Sequence, residues 1–91
     1  MFKWLNFQGV AHSDGYEVQV VDRGTVRYSE GERRLLIPVE MGTPLAVYFE
    51  SAQAWEPPYD QESMTPTDRE RIRGRLLAAM TLIDDVPCVL L

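Results

Sequence analysis

From Tyr16 onward, apolar and polar side chains alternate with a period of two, the spacing of strands that bury one face. Tyr16, Val18 and Val20 alternate with Glu17 and Gln19. Beyond the turn at Asp22-Arg23-Gly24, Val26 and Tyr28 face one way, Thr25 and Arg27 the other. Gly24 is expected to give that turn a positive φ at little cost. Ser29-Glu30-Gly31-Glu32 predicts a second turn, followed by a strand from about Arg33 to Val39 with Leu35, Ile37 and Val39 on one side. Pro38 has no N–H to donate, so it belongs at an edge or irregularity of the sheet. After Met41-Gly42-Thr43-Pro44, Leu45, Val47 and Phe49 alternate with Ala46, Tyr48 and Glu50 in a further strand. Connections this short favour antiparallel neighbours, because parallel ones need crossovers of about a dozen residues or more.

The period changes after residue 64. Thr65 suits the N-cap of a helix, Pro66 its first position, and Asp68 puts negative charge in the first turn. Ile72, Leu76, Ala79, Met80 and Ile83 fall in one stripe roughly 100° wide. The helix is expected to end near Asp84, with Pro87 blocking continuation and Val86 to Leu91 forming a short strand. The predicted architecture is α+β. It has an antiparallel β-meander of about four strands, one amphipathic helix packed on one face and a short C-terminal strand, in a single domain over 1–91. Residues 1–15 include Phe2, Trp4 and Phe7 but show no period that assigns them an element.

Charge adds a localised feature. The net charge of -5 is confined to residues 40–64, where Glu40, Glu50, Glu56, Asp60 and Glu62 stand without a Lys or Arg. The flanking segments balance: five acids and five bases over 1–39, four and four over 65–91. Such a patch repels nucleic acid and anionic membrane and attracts a basic partner. No run approaches the ~20 apolar residues of a membrane span. Met1 to Phe7 is broken by Lys3 and Asn6, unlike a signal peptide, and the single cysteine, Cys88, permits no intrachain disulfide. A cytoplasmic protein is the expectation.

Candidate chemistry is sparse. His12, the only histidine, sits beside Ser13-Asp14-Gly15 and is expected in an exposed turn; with Cys88 it offers too few ligands for zinc. Cys88 lies in an apolar stretch where a thiol stays protonated and acts as a small hydrophobe. The glycines never cluster into a phosphate-binding loop. Arg69 and Arg73 lie on one flank of the predicted helix and Arg71 and Arg75 on the other, positions suited to covering the core edge and pairing with local acids. No catalytic residue, cofactor or metal site is assigned. The constellation that remains is Tyr48, Glu50, Trp55, Glu56, Tyr59, Asp60 and Glu62, aromatics interleaved with acids and stiffened by Pro57-Pro58. It has the composition of a protein-binding surface, where rigid rings anchor and charges steer. Trp55 suits the end of a core equally well.

Arg27-Tyr28-Ser29-Glu30-Gly31-Glu32-Arg33-Arg34-Leu35-Leu36-Ile37-Pro38-Val39-Glu40, then Trp55-Glu56-Pro57-Pro58-Tyr59-Asp60 ahead of an Arg-rich capped helix, resembles immunity protein 74. That family comprises small immunity proteins of bacterial polymorphic toxin systems, and the resemblance spans roughly residues 16–90. It implies an α+β protein without enzymatic activity, whose partner is a cognate protein toxin. The acidic segment suits a basic toxin, and a monomer or weak homo-oligomer is expected. Two other readings stay open on the residues alone: a self-associating module using its sheet edge, and a small ligand-binding domain using the acids of 50–62.

Overall fold

The computed structural model describes residues 1–84 and 87–91. Its strands are β1 (Phe2–Asn6), β2 (Gly9–His12), β3 (Tyr16–Asp22), β4 (Thr25–Glu30), β5 (Arg33–Glu40), β6 (Leu45–Val47) and β7 (Cys88–Leu90). A single turn of 3-10 helix (Phe49–Ser51) follows β6, and α1, the one α-helix among the described residues, spans Pro66–Asp84. The sheet therefore has seven strands in the order β1-β2-β3-β4-β5-β6-β7, more than the four and a C-terminal strand that the sequence suggested.

Three differences from the expected meander have physical causes. Residues 1–15 supply a hairpin, β1–β2, whose outer strand has little burial on either face and so no detectable period. The strand expected through Glu50 stops at Val47 and tightens into the 3-10 turn, yet Leu45, Val47 and Phe49 are all buried as the alternation required. β7 pairs with β6 in parallel, because the 52–84 loop and α1 form the long crossover that parallel pairing demands. Of the expected terminal strand, Val86 lies outside the described residues.

The turns are also specific. Gly31, at φ 63°, takes the first loop position between β4 and β5, where primed hairpin turns require a positive angle. Gly24 is not among the positive-φ glycines; its N–H instead donates to Asp22 Oδ1 at 2.8 Å, so an aspartate side chain closes the β3–β4 turn. Pro38 sits where β5 leaves β4 for β6. Val39 N donates to Gly24 O and Tyr48 N to Pro38 O, so the missing proline donor faces the end of β6, where pairing ceases.

One face of the sheet carries the core. Register sets Val10, Val18, Tyr28 and Leu35 in one row across β2–β5, and Val20, Val26 and Ile37 in the next. Helix α1 lays Ile72, Leu76, Ala79 and Met80 onto these rows, all fully buried, with Ile83 at the margin. Its start is fastened by a reciprocal cap: Thr65 Oγ1 accepts from Asp68 N, and Asp68 Oδ2 accepts from Thr65 N, each at 3.1 Å. Thr65→Ala should cost about 1 kcal/mol, read as a lower urea midpoint at unchanged slope. The Arg71 guanidinium, then the cap bonds, hold the Asp68 carboxyl below its ordinary range.

His12 is a half-buried residue of β2 rather than an exposed turn residue, lying in a file of rings. Phe2 meets it edge-on at 4.7 Å, Tyr16 stacks on it at 5.0 Å, and Tyr28 and Trp55 continue the file at 5.9 and 6.4 Å. Burial, the largest cause, pushes the Tyr28 phenol up to about 12 from 10.0. The fold thus prefers the neutral phenol, so this contribution is complete below pH 10.0 and is lost as pH climbs toward about 12. Urea midpoints should fall across that interval, and part of the tyrosine absorbance change should lag behind the exposed phenols.

Candidate protein-binding site

The 49–62 segment leaves the end of β6 and then crosses an open edge of β5. Beyond Val47 the 3-10 turn buries Phe49, and Ala52 and Trp55 follow it into the core. Trp55 is 5% exposed and lies against Tyr28, so its ring closes the core at the end where β6 does not reach. The next residue binds the sheet directly: Glu56 N donates to Arg34 O at 2.8 Å. The segment thereby covers the part of β5 that lacks a strand partner, which is how exposed sheet edges are commonly protected.

Side chains then sew the loop to the β4–β5 hairpin. Arg33 makes a two-pronged bond to Glu62, Nε to Oε1 and Nη2 to Oε2, both 2.9 Å. The same guanidinium lies 4.6 Å over the Tyr59 ring, and Tyr59 OH donates to Glu32 at 2.7 Å. Hydrogen bonding to Glu32 raises the Tyr59 phenol, and Glu40, accepting from Tyr48 OH at 2.6 Å, does the same to Tyr48. Glu62, Tyr59 and Tyr48 are therefore bonded within the protein.

The remaining acids differ. Glu50, Glu56 and Asp60 form no ion pair among the described residues, and Glu50 and Asp60 are exposed. They are not gathered into one pocket. Glu56 and Pro57-Pro58 form one wall of an open cleft of about 530 Å³ whose floor is Arg27, Arg34 and Leu36. Glu50 borders another, of about 480 Å³, with Phe49, Met64, Pro66, Arg69 and Arg73. Of the seven residues singled out by sequence, the structure joins Tyr59 and Glu62 through Arg33, bonds Tyr48 to Glu40, places Trp55 inside, and leaves Glu50 and Asp60 exposed and Glu56 half-exposed.

A family model for immunity protein 74 matches residues 17–81. The chain belongs to the immunity protein 74 family. The matched stretch covers β3 to β6, the Trp55 segment and most of α1, and it leaves β1, β2 and β7 outside. No curated protein and no solved structure matches the chain.

Within that stretch lies a polar cluster that sequence reasoning did not assemble. Glu30, at the end of β4, accepts from Tyr28 OH at 2.8 Å, from Arg71 at 3.2 and 3.0 Å, and from Arg75 at 3.2 Å. Arg71 also holds Asp68 at 2.7 Å, and Arg75 lies 4.6 Å over the Tyr16 ring. On the opposite flank Arg69 donates to the carbonyls of Ala52 and Phe49 and covers the Phe49 ring at 4.4 Å. Three of the helix arginines thus anchor α1 to the sheet and the 3-10 turn. The flank assignment was legible from the helical wheel; the partner Glu30, 41 residues from Arg71, was not.

The Cys88 thiol is pushed up by burial, then by the negative charge of Asp84, which keeps it protonated. Among the described residues no cluster of three or more His, Cys, Asp or Glu can hold a metal ion, and no helix is long and apolar enough to cross a membrane.

Proposed function

We propose that this protein neutralises a cognate bacterial toxin by binding it, without chemistry of its own, and that the outward side of the 50–62 segment contributes to the contact. The observation carrying this reading is the family match over residues 17–81. The site supports it in a specific way. Trp55 and the Arg33–Glu62 bond hold the loop rigid, so little conformational entropy is lost when a partner docks on it. Glu56 and Asp60 form no ion pair among the described residues, although Arg27 and Arg34 line the same cleft as Glu56, and the negative potential of the two acids steers a basic surface toward Pro57-Pro58.

The expected partner is a protein with a basic face, bound in the cytoplasm of the producing cell. Association of the purified chain with its proposed cognate toxin provides the test. Replacing both Glu56 and Asp60 with Lys should slow association about three- to tenfold at low salt, with the difference shrinking as salt is raised. Glu62 is left intact because reversing it would release Arg33 and unfasten the loop. An association rate equal to wild type at low salt would remove this segment from the contact.

A further inference from the structure

We propose that β1 is a pairing edge for a second copy of this chain, joined as an antiparallel β1–β1 ladder with Trp4 facing Trp4 across a twofold axis. This is independent of toxin binding, since β1 lies outside the stretch that defines the family.

The sheet ends at β1, and its outward backbone groups can be identified. Ser13 N donates to Met1 O at 3.1 Å, and the register sets Phe2 opposite His12 and Lys3 opposite Ala11. Hydrogen-bonded pairs alternate along an antiparallel ladder, so Met1 and Lys3 bond to β2 while the N–H and C=O of Phe2 and Trp4 point away from it. Sheet edges are normally guarded by charge, proline or a covering element. Here the guards are Lys3 and an irregularity of the β1–β2 pairing between Trp4 and Asn6, which leaves Met1 to Trp4 in regular register, and the neighbouring side chains are apolar and open: Trp4 is 48% exposed, Leu5 46% and Phe7 84%.

Charge selects the occupant. Residues 1–13 contain no Asp or Glu, whereas the acids behind the net charge of -5 lie in 40–64. Glu40 ends β5, and the 56–62 segment is bonded to Arg33 and Arg34 of the same strand, which is four strands away from β1, roughly 19 Å along the sheet. Two copies meeting at β1 therefore keep their acidic segments apart. The other edge does the reverse: Glu50 N donates to Leu91 O just past β7, so self-pairing there would bring like charges together.

Charge also selects the register. A twofold axis at Lys3 would set two ammonium groups opposite each other, which is unfavourable in a ladder. An axis at Trp4 uses the free backbone groups, sets Lys3 opposite Leu5 and brings the two indoles side by side. Trp4 lies opposite the buried Val10, so both rings stand on the helix-bearing face, beyond the cover that α1 provides.

Sedimentation equilibrium from about 1 µM to about 500 µM tests this, a range that brackets a small interface. The wild-type mass should rise from 10.4 kDa toward twice that value. Trp4→Lys, on a half-exposed side chain, should stay at 10.4 kDa with an unchanged circular dichroism spectrum, and Glu56→Lys should associate as the wild type does. Fluorescence gives a second reading without substitution. Trp55 is already buried, so a blue shift on concentrating the protein belongs to Trp4. A wild-type mass that stays at 10.4 kDa throughout, or association undiminished in Trp4→Lys, would overturn the proposal.

Discussion

Trp55→Ala should lower stability by about 3–5 kcal/mol, as expected for truncating a large buried aromatic that leaves a cavity. A domain of this size holds about 5–14 kcal/mol in all, so the loss takes roughly a fifth or more of the total, and toward the lower end of that range little or none remains. The reason is positional. The ring ends the file that runs from Phe2 through His12, Tyr16 and Tyr28, and it is 5% exposed although it comes from a loop. Without it, Glu56 loses its aligned approach to Arg34 O, and the Arg33–Glu62 and Tyr59–Glu32 bonds lose the segment that presents them. Chemical denaturation measures the loss directly. A cost under about 1 kcal/mol would place the indole outside the core, where surface substitutions ordinarily fall.

Glu30→Ala should cost about 2 kcal/mol, the second largest effect expected. Its carboxylate is the common acceptor for Tyr28, Arg71 and Arg75, and all three donors remain when it is removed. Charge-assisted hydrogen bonds contribute about 1.5–3 kcal/mol, and stranding a buried charge costs more. The figure is kept low because the side chains here are 27%, 33% and 23% exposed, so water reaches the orphaned guanidinium groups. Glu30→Gln should recover only part of the loss, since one of its two amide positions is a donor facing donors. Urea unfolding of both variants decides this, and equal stability of Glu30→Ala and wild type would show the cluster to be ornamental.

Much of this fold could be read along the chain wherever one face is buried and the other is not. β3, β4 and β5 declared themselves through Val18 against Gln19, Val26 against Arg27 and Leu35 against Arg34. The start of α1 was equally plain, because Thr65, Pro66 and Asp68 each satisfy a different need of a helix N-terminus. β1 was silent for the converse reason: Lys3, Trp4, Leu5 and Asn6 are all exposed, so no burial imprints a period.

The candidate site shows a subtler limit. Composition identified Trp55, Glu56, Tyr59, Asp60 and Glu62 as a group, yet a ring and a carboxylate look the same in sequence whether they face the core, an arginine or water. Arg33 takes Glu62 out of the free acidic surface, and Trp55 turns inward; both outcomes depend on the loop crossing β5 at Arg34, a contact between residues far apart in the chain.

Survival of cells co-expressing this chain with its proposed cognate toxin tests the central claim most directly. Wild-type protein should restore growth, and the Glu56, Asp60 double Lys variant should protect less well while remaining folded. Cells that die at the same rate with and without abundant, soluble wild-type chain would contradict it.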